Sequence, residues 1–240
     1  MAAGKAFVKQ KPGYDNLFYC PKNIAEKVNA WLKGKLFLFN NNYGSNWDML
    51  LEKVKEVIAE KKVKLIMLDN LMTIDLECFD GDENKKQKQF IKSVKDLAKS
   101  ENVHIILVCH PRKEQSFQLL RKESIAGTAD LTNLCDNLLL SHRVGNDFER
   151  RAKDFFGEDK IAKYLNYDMV VEIAKNRSLG VVDYLIGLYY EQETRRVKND
   201  VAENIVYGWQ ERPVQTSIDD ICDLPEDSWT PESFDNEERF

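Results

Sequence analysis

The stretch Val63-Lys64-Leu65-Ile66-Met67-Leu68-Asp69-Asn70-Leu71 constrains this chain more than any other. Its apolar residues, Val63 and then Leu65, Ile66, Met67 and Leu68, follow one another without the alternation of a half-exposed strand. Such a run reads as a strand covered on both faces, the pattern of a parallel sheet. Asp69 then stands where the strand should end. Ligands of open α/β sheets bind beyond the carboxyl ends of the strands, so Asp69 is the first candidate functional residue. The same placement would also suit an Asp that merely caps the next segment.

The flanking sequence supplies helices and further strands at short intervals. Pro21 suits the first turn of a helix carrying Ile24, Val28, Trp31 and Leu32 on one face, which Gly34 would end. Residues 36–39, Leu-Phe-Leu-Phe, read as a short buried strand. Ser45 or Asn46 can cap a helix with Leu50, Leu51, Val54, Val57 and Ile58 on its core side. After the 63–71 strand, a helix is expected over residues 85–100 and an apolar strand over 103–109. Strands alternating with helices argue for βαβ crossovers and a mainly parallel sheet. Residues 1–20 read as loop, and 111–132 show no stable period. Another strand is expected over 136–141, a charged helix around 148–156, and a hairpin of 168–174 with 181–190.

Charge is unevenly distributed. The net charge is −5, but residues 213–240 hold nine acids and one base, so the preceding residues are mildly basic at +3. Residues 85–122 alone hold ten Lys or Arg against three acids. That balance suits a polyanion-binding surface, and it equally suits a solvated helix face over residues 85–99. The chain divides into a folded part, residues 1–211, and an acidic tail, residues 212–240, expected to be disordered. Five cysteines without a CxxC pair, and no apolar signal segment, point to free thiols in a reducing cytoplasm. No apolar run approaches the ~20 residues of a membrane helix.

Four segments, in this order, resemble the C-terminal motor of DnaB-like replicative helicases, in particular the phage and Twinkle-like branch. They are the 65–71 strand with Asp69; Leu107-Val108-Cys109-His110-Pro111-Arg112-Lys113; Ile125-Ala126-Gly127-Thr128-Ala129-Asp130-Leu131-Thr132-Asn133 followed by Cys135-Asp136-Asn137; and Glu172-Ile173-Ala174-Lys175-Asn176-Arg177. The resemblance implies a RecA-like P-loop NTPase core with flanking helices and a C-terminal β-hairpin. It implies ATP and Mg²⁺ as cofactors, with Asp69 holding Mg²⁺ through water and Asn70 beside it. It makes His110 a sensor of the terminal phosphate. Lys175 and Arg177, on one side of an extended turn, would reach into a neighbouring subunit's nucleotide site. Arg112, Lys113, Arg121, Lys122 and Gly127 would contact single-stranded DNA. The assembly would be a homo-hexamer that unwinds duplex DNA in the cytoplasm of a bacterial or phage-infected cell, with a mitochondrial setting left open. The tail ending in Phe240 would dock a DNA polymerase or another replication protein.

The sequence also departs from that family. It contains no Gly-rich loop ending Gly-Lys-Ser/Thr; Gly4-Lys5-Ala6 lacks both the preceding glycine and the hydroxyl. The expectation is therefore a C-terminal piece of a longer motor, without ATPase activity by itself. The alternative is a non-catalytic RecA-like module that binds single-stranded DNA or partner subunits.

Overall fold

The computed structural model describes residues 4–40, 44–111, 119–127, 129–203 and 205–210. Arg112, Lys113, Thr128 and the acidic tail lie outside these residues. So do the expectations placed on them.

A small antiparallel pair, β1 (Lys9–Gln10) and β2 (Phe18–Tyr19), opens the fold where the sequence suggested only loop. Helix α1 (Lys22–Leu32) follows Pro21, and helix α2 (Trp47–Lys61) begins at Asn46, whose side chain accepts a hydrogen bond from the Asp48 N–H. Strand β3 (Leu65–Leu68) and strand β4 (His104–Leu107) lie parallel and in register, Leu65 opposite His104 and Leu68 opposite Leu107. Helix α3 (Glu83–Ser100), capped by Asp82, makes the crossover between them. The expected βαβ unit is therefore present.

The helices cover one face of this pair. Trp47, Phe90, Ile91 and Val94 form a core with Leu71, Leu76 and Leu131, against which Leu68, Ile105 and Leu107 pack. The Trp47 ring meets Phe90 edge-on at 4.7 Å, and its indole N–H donates to Ser93 at 3.0 Å. Ile58, Leu97 and Val103 extend the core toward Ile66. The other face is bare: Leu65 is 58% and Met67 61% exposed. Burial of this strand on both faces is thus corrected. Apolar sequence determines what a strand prefers, but a second layer must be present to cover it, and none is among the described residues.

Residues 36–39 are corrected as well. They form no strand, and Leu38 is 84% exposed. Four residues cannot hold an extended conformation without a ladder partner, and none pairs with them among the described residues.

The second unit is antiparallel. Helix α4 (Ala129–Leu134) leads into strand β5 (Asn137–Arg143), helix α5 (Asn146–Phe156) and helix α6 (Glu158–Ala162). Strand β6 (Met169–Asn176), strand β7 (Tyr184–Glu191) and strand β8 (Arg196–Lys198) complete a four-stranded sheet in the order β5-β6-β7-β8. The α5 and α6 side chains Phe148, Ala152 and Ile161 pack on Val170 and Leu185. The sheet content is therefore mixed, and the mainly parallel expectation is corrected. A hairpin turn between β6 and β7 forces antiparallel pairing, and β5 joins them the same way. Helices α4 and α6 and strand β8 had no usable period at their lengths of six, five and three residues.

Candidate functional site

The carboxyl ends of β3 and β4 bring together three of the candidate residues. The parallel ladder continues past both strands: the Val108 N–H donates to Leu68 O at 2.9 Å and the Leu71 N–H to Val108 O at 3.1 Å. This closes β3 tightly enough to place Asp69 and Asn70 beside the end of β4. Asn70 starts a helical turn, Leu71–Thr73, by accepting from the Met72 N–H at 3.0 Å. Its amide nitrogen then lies 3.1 Å from His110 Nε2. With the amide oxygen already committed to Met72, the nitrogen donates and Nε2 accepts. His110 is thereby fixed as the tautomer protonated on Nδ1.

Asp69 is exposed beside this link. Beyond His110 the chain is held by the returning segment: the Ala126 N–H donates to His110 O at 3.0 Å, and Pro111 pairs with Ile125. The position of His110 is therefore coupled physically to the loop carrying Gly127. That glycine has φ 121°, and a Cβ there would stand 2.5 Å from Leu131 and 2.6 Å from Gln87. Both the backbone and the space demand glycine. Cys109, behind His110, is partly buried, and burial, with Cys135 nearby, pushes its thiol up to about 11. That leaves it a small core residue rather than a nucleophile.

Lys175 and Arg177 converge on the end of α4. Lys175 Nζ donates to Thr132 O at 2.8 Å and Asn133 O at 3.0 Å. Arg177 donates to Asp136 at 2.7 Å and to Asn133 O at 3.0 Å, while remaining 48% exposed. Lys95 joins them through Leu134 O at 2.7 Å and Asp136 at 3.2 Å. Three cations thus satisfy the orphan carbonyls of α4 and complement its dipole. Burial pushes the Asp136 carboxyl up, but the Lys95 hydrogen bond and the charges of Lys95 and Arg177 outweigh it and hold the group low.

Arg121 is placed differently from the sequence expectation. It donates to Glu172 at 2.7 Å and Asp183 at 2.9 Å, and its guanidinium stacks 3.7 Å from the Phe155 ring centre. Committed to two carboxylates and an aromatic face, it is a structural cation and leaves the DNA-contact set. Lys122 is exposed beside Glu123, and Gly127 shapes its loop. Lys5 pairs with Glu193 at 2.7 Å in the antiparallel unit, as expected for a lysine that cradles no phosphate.

Sequence reasoning missed Glu172, which is 0% exposed and lies 3.2 Å from His142 Nε2. The signal was available: Val170, Glu172 and Ala174 share one side of a strand otherwise apolar. A lone carboxylate in that series needs a buried partner.

Among the described residues no group of three or more His, Cys, Asp or Glu could hold a metal ion. Asp69 alone fits a Mg²⁺ held chiefly by phosphates and water, the usual way this ion is bound. No helix among the described residues is long and apolar enough to cross a membrane. No protein-family model matches the chain, and no curated protein matches it. Among solved structures, the ATPase domain of a DnaB-like helicase is similar at 16% identity with a TM-score of 0.48. The match covers 63% of this chain and 50% of that one, so this chain spans about half of that structure's length.

Proposed function

We propose that this chain forms the carboxylate-and-sensor half of an ATP-driven DNA helicase motor. The observation that carries the reading is the Asp69, Asn70 and His110 arrangement at the ends of two parallel strands, with Asn70 and His110 3.1 Å apart. Ligand chemistry gathers at such strand ends, and the four sequence segments resembling the DnaB-like motor fall in their expected order around it.

In this reading Asp69 orients the water shell of Mg²⁺, and the bound Mg²⁺–ATP supplies the phosphoryl group and the charge to be neutralised. Asn70 holds His110 in one tautomer, facing the same space. His110 O is bonded to Ala126, so a shift of the histidine moves the loop beyond it. Lys175 and Arg177 act across a subunit boundary, their stems held by the end of α4 and the Arg177 head still exposed. DNA contact falls to Lys122 and to the loop shaped by Gly127, together with Arg112 and Lys113. A hexameric ring translocating on single-stranded DNA, and a replication partner for the Phe240 tail, complete the reading.

Because these 240 residues contain no Gly-Lys-Ser/Thr loop, nucleotide binding by the chain alone should be weak and turnover should stay at background. The test titrates ATP with Mn²⁺ in place of Mg²⁺ and follows paramagnetic broadening of backbone NMR signals. Broadening should centre on Asp69, Asn70 and His110 and vanish in Asp69→Asn. Broadening elsewhere, or unchanged in the variant, would overturn the nucleotide-site assignment. The absence of a phosphate-cradling loop from these residues favours a second reading, a non-catalytic module that binds single-stranded DNA or partner subunits. That reading expects DNA binding with no nucleotide response at all.

A further inference from the structure

We infer that the exposed face of α3 is a track for the phosphate backbone of single-stranded nucleic acid, separate from the loop residues assigned above. Lys85, Lys88, Lys92, Lys95 and Lys99 recur at spacings of three and four within the helix Glu83–Ser100. That spacing puts all five on one side of the helix. Neighbouring Cβ atoms are about 5–6 Å apart, and the row runs about 21 Å along the axis.

The row leads directly into the cation cluster at the end of α4. Lys95 shares Asp136 with Arg177, and Lys175 holds the carbonyls next to the one Lys95 holds. The acids along the row are few. Asp130 pairs with Lys88 at 3.3 Å, Asp136 is shared as described, and Asp96 follows Lys92 by one turn. Asp82 and Glu83 sit at the N-terminal turn beside Lys85, where the first caps the helix and the second accepts from Gln87. Lys92 and Lys99 are exposed and make no hydrogen bond or ion pair within the described residues.

The type of partner follows from what the row lacks. Protein interfaces draw most of their energy from buried aromatic and apolar anchors. Here the apolar residues of α3, Phe90, Ile91, Val94 and Leu97, all face the core. A row of flexible point charges without anchors suits a ligand whose affinity comes from regularly spaced negative charge and released counterions. A nucleic acid strand is such a ligand, and recognition would be independent of sequence.

This inference rests on the nucleic-acid part of the proposed function and not on its nucleotide site. The test measures fluorescence anisotropy of a labelled oligo-dT across a salt series for the wild-type chain and for Lys92→Gln/Lys99→Gln. Both lysines are exposed, so the variant should keep its thermal midpoint. Its affinity should fall on the order of tenfold, and the slope of log K against log salt should flatten by about 1.4. Lys22→Gln/Lys27→Gln on α1 removes the same charge elsewhere and should have little effect. If the wild type binds and the α3 variant binds equally, or if both variants lose affinity alike, the track is overturned while DNA binding stands. If the wild type binds no oligonucleotide, the nucleic-acid reading falls and the track with it. Loss of heparin retention with unchanged oligonucleotide affinity would also overturn it, in favour of an acidic protein partner.

Discussion

Glu172 depends on its neighbours more than any residue at the candidate site. Its carboxylate is sealed from water and receives Arg121 on one oxygen and approaches His142 on the other. Removing one partner of a buried pair strands the remaining charge, and such losses cost about 3–5 kcal/mol. Arg121→Met should therefore lower the free energy of unfolding by about that amount, measured by urea denaturation. The double variant Arg121→Met/Glu172→Met removes both charges at similar volume and should recover much of the loss. A single variant as stable as the wild type would show that His142 and Asp183 suffice. At this scale the sequence was a partial guide. It singled out Arg121 as a free cation because nothing local to it is acidic apart from Glu123. The partners that claim it lie 51 and 62 residues away, a separation no local pattern reveals.

At the scale of elements, the β7–β8 hairpin is a charge-stapled edge. Its pairing puts Glu191 opposite Arg196. Glu191 reaches Arg196 at 3.0 Å and Lys198 at 3.5 Å, and all three side chains are largely buried. Burial pushes the Glu191 carboxyl up, but the Thr194 hydroxyl and the charges of Arg196 and Lys198 prevail and hold it below its ordinary 4.5. A lowered carboxylate stabilises the fold above its unfolded value, and the contribution disappears as pH falls through the folded value. Glu191→Gln should therefore lower the thermal midpoint at pH 7, and the gap to wild type should narrow as pH drops below about 4. A gap that is constant between pH 7 and 3 would refute the linkage. The hairpin of β6 and β7 and the helices α1, α2, α3 and α5 were legible from period and caps, because each is long enough to show its face several times. The short elements α4, α6 and β8 were not, since three to six residues complete too few periods. The pairing direction was not legible either. The run 63–68 records a preference for cover, and it was read as evidence of a wide parallel sheet when only one parallel neighbour is present.

At the scale of the whole molecule, the parallel pair and the 36–39 segment leave Leu65, Met67, Ile106, Leu36, Phe37, Leu38 and Phe39 facing solvent. Exposed apolar surface on this scale favours association. The chain should elute with an apparent mass that rises with concentration in light-scattering chromatography. Leu38→Glu/Met67→Lys should return it toward its 27.9 kDa monomer mass. Elution at that mass for the unaltered chain at high concentration would contradict the expectation.

The edge-on packing of Trp47 on Phe90 gives the parallel unit an intrinsic optical signature. Trp47 is 1% exposed, whereas Trp31 and Trp209 are only half-buried. Its emission should lie on the blue side of the spectrum and resist quenching by iodide, while those two indoles respond. The fraction of fluorescence that iodide leaves untouched then reports melting of the first core separately from events in the antiparallel sheet, without any label on the chain.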